Sequence, residues 1–266
     1  MSPLTVRPEQ CQHVLVMRHG ERADDGADKS WWTTVPNPWD APLTDAGRAR
    51  ALETGRKLRD QLGFPIHRVV VSPFRRCVET AQGLISGLFP VDAGNLDNGN
   101  SADSSASRIK VSIEFGLGEL FNNIAIRHPP PNPADHGAWG FNIPTIEALI
   151  PAETLDHTVK PVFNELPQWG ETEPKARDRY RHTIRSLADR YPSENLPLIT
   201  HGEAVKVAAS TYWKEARGQK IRPGYCGCVH LKRQVVRNGD SFTAKRFEIA
   251  TNPKETGIKR KLPQQA

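Results

Sequence analysis

Three short segments of the chain carry residues whose types and spacing suit phosphorus chemistry. Val16-Met17-Arg18-His19-Gly20-Glu21-Arg22 sets a histidine among arginines, and Thr200-His201-Gly202 repeats the histidine–glycine pair far down the chain. Between them, Val71-Ser72-Pro73-Phe74-Arg75-Arg76-Cys77 brings arginine to a helix start. A neutral imidazole offers a lone pair to an electrophile, and guanidinium forks at helix starts hold phosphate oxygens through charge-assisted, bidentate bonds. If the strands before these segments run parallel, their C-terminal ends share one edge of the sheet. Arg18, Arg22 and Arg75 then surround His19, and the expected site binds a phosphoryl group.

The elements that must position these residues follow from pattern. His13–Met17 reads as a buried strand stopped by Gly20, and Thr44-Asp45 caps a helix that Gly63 and Pro65 end. Arg68–Val71 is a second strand, after which Ser72 as N-cap and Pro73 at the first helical position open a helix to about Leu88. Lys110–Ile113 is a third strand. A charged helix from Glu173 to Tyr191 leads into the strand Leu196–Thr200, and a further helix runs from Glu203 to about Arg217. Alternation in Val229–Lys232 and Phe242–Lys245 predicts antiparallel edge strands.

The expectation is one α/β domain over 1–266, a three-layer αβα sandwich with a mostly parallel central sheet. An irregular, Pro- and aromatic-rich insertion at about 114–170 covers the active site. A polar loop at 92–107 is expected to be flexible, and a basic tail at about 252–266 to be disordered.

Composition narrows the classes. With 266 residues and a mean hydropathy of −0.56, the chain is long enough for a real core and too patterned for wholesale disorder. No apolar run suits a signal peptide or membrane span, so the expectation is a soluble, cytoplasmic protein, nuclear at most, with no membrane partner. A net charge of +6 does not require nucleic acid, and none is expected. The four cysteines form neither a disulfide framework nor a zinc ribbon and read as reduced thiols. Gly83 stands where a C-x5-R phosphatase with Cys77 would need arginine, and neither G-x-x-x-x-G-K-[ST] nor G-x-S-x-G occurs. His128, His136 and His157 lack tight ligand spacing, so no metal site is expected there; His13, His67, His182 and His230 read as structural.

Together with Leu43-Thr44-Asp45-Ala46-Gly47 and the continuation Val78-Glu79-Thr80-Ala81, the three segments resemble the histidine phosphatase, or phosphoglycerate-mutase-like, superfamily. The R-H-G-E-R-x-D and S-P-x-x-R-C-V-x-T-A forms look most like its ubiquitin-associated/SH3 and ecdysteroid-phosphate phosphatase branch. The resemblance implies a phosphomonoesterase that needs no metal or other cofactor, with His19 as nucleophile and a phosphohistidine intermediate. It implies that Arg18, Arg22, Arg75 and His201 neutralise the phosphate oxygens, and that Glu119, in Gly116-Leu117-Gly118-Glu119-Leu120, protonates the leaving group. Glu114 and Glu203 compete for that acid role. Trp32, Trp39 and Phe121 either line the substrate entrance or anchor packing, and as entrance residues they suit an aromatic or apolar ester, small molecule or phosphoprotein. The alternatives are phosphoryl transfer of the phosphoglycerate mutase type and a weakly active module that binds phospholigands. Oligomeric state is not legible.

Overall fold

The computed structural model describes residues 10–26, 30–90, 109–134, 139, 141, 143–216 and 218–261. The loop at 92–107 and His136 lie outside the described residues.

β1 (Gln10–Arg18), β2 (Arg68–Val71), β3 (Lys110–Ile113) and β4 (Leu196–Thr200) form the parallel centre of a seven-stranded sheet, ordered β3-β2-β4-β1. Register places Arg18 opposite Thr200 and Val71 opposite Ile199, so β1, β2 and β4 end together as the sequence predicts. β6 (Cys228–Asn238) continues the sheet antiparallel to β1, and β7 (Ser241–Ala244) and β8 (Glu248–Ile249) pair antiparallel to β6. Val229–Lys232 pairs antiparallel as expected but does not form the expected edge strand: β6 is eleven residues long and lies inside the sheet, between β1 and β7.

Side chains alternate across a strand, and β1 shows why the molecule has three layers. Leu15 and Met17 pack with α3 (Arg75–Leu88) and the insertion on one face, while Val14 and Val16 pack with α5 (Glu173–Arg190) and α6 (Gly202–Tyr212) on the other. α2 (Asp45–Gln61) is capped by Thr44, whose hydroxyl accepts from the Gly47 N–H at 3.0 Å. α2 presses its N-terminus against the loop after β1. A Cβ on Gly47 would lie 2.5 Å from the Glu21 carbonyl oxygen, and one on Gly20 would lie 2.8 Å from that of Gly47. Only glycine at both positions allows this approach.

The insertion is irregular, as expected, with a 3-10 turn at Phe115–Leu117 and the short α1 and α4 (Trp31–Thr34 and Ile143–Glu147) as the small helices around it. Two corrections concern termini. The helix after β2 begins at Arg75 with Phe74 as N-cap, so Ser72 and Pro73 precede it. The tail is ordered to Lys261: β9 (Ile258–Lys261) pairs with β5 (Lys220–Pro223), and Ile258 is buried against the core. The charges around it hid a single apolar anchor.

Candidate active site

His19 follows β1 directly, and His201 follows β4 as the N-cap residue of α6. Their rings lie 5.4 Å apart, both fully enclosed. The His19 Nδ1 is 2.7 Å from the Gly20 carbonyl, which can only accept, so Nδ1 carries the hydrogen and Nε2 keeps a lone pair. Burial, and then the charges of Arg76, His201 and Arg18, hold the His19 pKa well below its ordinary value. The imidazole is therefore neutral at physiological pH, with its lone pair on Nε2. Backbone bonds fix it: its N–H donates to the Thr200 carbonyl, and its own carbonyl accepts from Cys226. Thr80 completes the mount, accepting from the Gly20 N–H and donating to the Arg76 carbonyl.

Of the arginines assigned by sequence, Arg18 and Arg22 join this cluster and Arg75 does not. Arg18 donates from Nη1 to the Pro223 carbonyl at 3.0 Å and lies over the Tyr225 ring, while its buried Nε has no partner among the described residues. Arg22 is buried and forms a two-point fork on buried Asp24. Arg75 turns out to solvent, with its side chain half exposed and paired with Glu79 one turn on. Arg76 takes the inward place: a residue step of about 100° around an α-helix separates the two side chains. Its side chain is 1% exposed, its guanidinium stands 4.4 Å from the Phe74 ring centroid, and its Nε also lacks a partner among the described residues. The sequence held the signal, because in S-P-x-x-R-C the arginine is the residue directly before the cysteine.

His201 is held by Ser72, whose Oγ is 2.9 Å from Nε2, and by Arg76, whose Nη2 is 3.2 Å from Nδ1. The Phe74 ring meets it edge-on at 4.9 Å. Burial lowers its pKa to about 4. Glu119 Oε2 lies 3.3 Å from His201 Nδ1 and 3.6 Å from Arg76 Nη2. Burial alone would raise the Glu119 pKa, but His201 and Arg76 outweigh it and bring it to about 2. Burial lowers His201 while Glu119 is lowered partly by a charge on His201; we take Glu119 as ionised because the Arg76 charge is permanent. α5 sets this carboxylate in place. Buried Arg179 forks onto Glu171 and donates to the carbonyls of Gly116, Gly118 and Glu119, and the Tyr180 hydroxyl donates to Gly118.

The competing acids lie elsewhere. Glu114 accepts from the backbone N–H groups of Gly116, Val162 and Phe163, pinning two loop segments together. Glu203 pairs with Lys206 and lines a separate surface groove with Arg177 and Arg222.

Of the aromatic residues, Phe121 is buried among Trp139 and Trp169 as a packing anchor. Trp32 stacks on His128. Trp39 donates to the Trp139 carbonyl, and its own carbonyl accepts from Arg76. A cavity of about 610 Å³, lined by Phe115, Phe121, Trp139, Phe141 and Trp169 among others, includes none of the cluster's charged side chains. Sequence reasoning missed Tyr225, 5.9 Å from the His19 ring, whose hydroxyl bonds Asp25 across the cluster; no motif marks its loop.

Among the described residues, His19, Glu119 and His201 present ligand atoms within 4.8 Å of one another, a spacing that could hold a metal ion. Arg18 and Arg76 crowd the same space, and their charges favour an anion there instead.

Residues 14–93 match the profile of the histidine phosphatase superfamily (branch 1). The chain is 34% identical over 131 residues to an ecdysteroid-phosphate phosphatase of Bombyx mori, a match spanning 46% of this chain and 17% of that protein's length. It is 22% identical to phosphoglycerate mutase-like protein 4 of Arabidopsis thaliana, over 92% of this chain and 88% of that one. The solved silkworm ecdysone phosphate phosphatase, in complex with tungstate, superposes with a TM-score of 0.62 at 21% identity, covering 91% of this chain and 93% of that one. A fold with two strand-ending histidines, and a profile match over residues 14–93 that includes the first of them, agree in their likeness to the histidine phosphatase superfamily.

Proposed function

We propose that the cluster hydrolyses phosphate monoesters through a phosphohistidine at His19. The observation that carries this reading is the pair of buried guanidinium Nε groups, on Arg18 and Arg76, that have no partner among the described residues and stand beside a histidine with a free Nε2 lone pair. Leaving a buried donor unpaired costs about 1–3 kcal/mol, more for a charged group, and a bound phosphate removes that cost. In the reaction, Nε2 of His19 forms a bond to phosphorus as the ester P–O bond breaks. The leaving oxygen takes its proton from the Glu119–His201 pair, and water then cleaves the phosphohistidine, returning a proton and releasing orthophosphate. Arg18, Arg76 and His201 stabilise the equatorial oxygens, with Arg22, already forked on Asp24, adding positive field.

The ester favoured is one with an aromatic or apolar leaving group. Tyr225 beside His19, and the Phe74–Phe141 pair beside His201, give the cluster an aromatic surround, in keeping with the name of the silkworm relative. The Arabidopsis relative's name keeps a mutase reading in the test.

The test is turnover of p-nitrophenyl phosphate, a steroid phosphate and 3-phosphoglycerate in chelator, with rapid-quench trapping of phosphoprotein. Turnover with acid-labile phosphate on the wild type and none on His19→Ala is expected. An inert wild type in chelator that is revived by a divalent ion would move the chemistry to a metal on His19, Glu119 and His201. Inertness under all conditions would leave a binding module.

A further inference from the structure

A groove of about 700 Å³ lies between the C-terminal halves of α5 and α6, β6, and the segment 244–247. Five basic side chains, Arg185, Lys214, Arg233, Lys245 and Arg246, line it against one acid, Asp189. That acid is already taken by Arg233, at 2.6 Å. Arg185, Lys214, Lys245 and Arg246 make no ion pair among the described residues. The negative ends of α5 and α6 account for Arg185 and Lys214. They do not account for Arg233 in the sheet, or for Lys245 and Arg246 on the segment across the groove.

Arg233 is the built element. Its side chain is 5% exposed, its Nε donates to Gln12 at 2.7 Å, and its Nη2 has no partner among the described residues. Its guanidinium lies over Phe247, 4.7 Å from the ring centroid, and half-buried Phe242 and Tyr212 complete an aromatic wall. Concave, single-sign charge concentrates field and raises the local concentration of anions. One phosphate would neutralise only part of this charge, so the complementary ligand carries several.

We infer that this groove is a second anion site, which takes a polyphosphate-bearing ligand with a planar ring, of the nucleoside triphosphate class. The phosphates lie among Lys214, Arg185, Lys245 and Arg246 over the field of Arg233, and the ring lies on Phe242. α6 starts beside His201 and its eleven residues span about 16 Å, so the groove is at the opposite edge of the sheet from the histidines. The inference does not depend on the reaction proposed for His19.

Calorimetric titration with ATP, inorganic tripolyphosphate and orthophosphate at low salt tests it. ATP is expected to bind more tightly than tripolyphosphate, and orthophosphate far more weakly than either. Lys214→Glu combined with Arg246→Glu, both exposed, is expected to weaken ATP at least tenfold while melting temperature and p-nitrophenyl phosphate turnover stay as in wild type. Phe242→Ala is expected to weaken ATP but not tripolyphosphate. ATP affinity unchanged in the charge-reversed protein, or no tighter than orthophosphate, overturns the site. Equal affinity for ATP and tripolyphosphate overturns the ring contact.

Discussion

Arg76 holds His201 through a single contact, Nη2 to Nδ1 at 3.2 Å, and the same nitrogen stands 3.6 Å from Glu119. A guanidinium only donates, so Nδ1 accepts from it and the other ring nitrogen donates to Ser72. A carboxylate only accepts, so Glu119, 3.3 Å from the same Nδ1, bonds it only with a proton between them. The two arrangements differ by one proton. A phosphate dianion beside Arg76 adds negative charge and favours keeping that proton, which is the state a leaving group needs.

Arg76→Ala is expected to lower kcat/KM for p-nitrophenyl phosphate by about 100-fold or more, the scale of losing a preorganised charge donor. Arg75→Ala, at a half-exposed side chain, is expected to change it only a few-fold. Arg76→Lys keeps the charge but loses the fork and is expected to recover little. The reverse ranking would return the phosphate site to Arg75.

The strand-ending histidines, the parallel centre and the helix after Thr44 were legible because periodicity and caps are local signals. That Arg76 rather than Arg75 faces the histidines was not legible from the local capping signals: Ser72-Pro73 reads as a helix start, but the Ser72 hydroxyl is engaged by His201, 129 positions away. The helix instead starts at Arg75 with Phe74 as its N-cap. Tyr225 and Ile258 were not legible, since each gains its role only from chain that is remote in sequence.

Glu119→Gln removes the acid but keeps the hydrogen-bonding shape. Its cost is expected to grow with the basicity of the leaving group: small for p-nitrophenyl phosphate, whose phenolate departs unaided, and about 100-fold or more for an alkyl phosphate. Equal losses on both esters would make Glu119 a positioning group for His201.

Gly47→Ala places a methyl group 2.5 Å from the Glu21 carbonyl oxygen, a contact with backbone that cannot swing aside. Overpacking of this kind costs about 1–3 kcal/mol, and the displaced loop carries Arg22. Denaturant melts should show the loss, with a kcat/KM decrease exceeding that of an alanine placed at exposed Gly63.

Ile258→Ala separates an ordered tail from a disordered one. Ile258 is 1% exposed against Trp213 and Ile221, and emptying such a site costs about 2–5 kcal/mol. No change in the urea midpoint would show that β9 does not hold in solution.

Acid lability follows from the buried imidazoles. Burial is the leading cause that holds His19 well below 6.5 and brings His201 and His230 to about 4. Below pH 6.5 the unfolded chain binds protons on these rings that the folded chain refuses, so stability is complete above 6.5 and falls as pH drops toward 4. Asp40, raised to about 6 by burial, acts in the opposite sense between 3.8 and 6, because there the folded chain holds a proton that the unfolded one releases. Glu114, also raised by burial, acts in the same sense as Asp40, and His13, also lowered by burial, in the same sense as the other rings, so two carboxyls oppose four imidazoles; Glu119, lowered to about 2, adds to the acid loss below 4.5. The urea midpoint is therefore expected to fall between pH 7 and pH 5. The slope should flatten in His230→Gln, which leaves the candidate site intact and removes a ring bonded to His13 and Thr251. A midpoint that is flat or rising over that interval would mean the rings are charged inside the fold, and His19 would then have no lone pair for phosphorus.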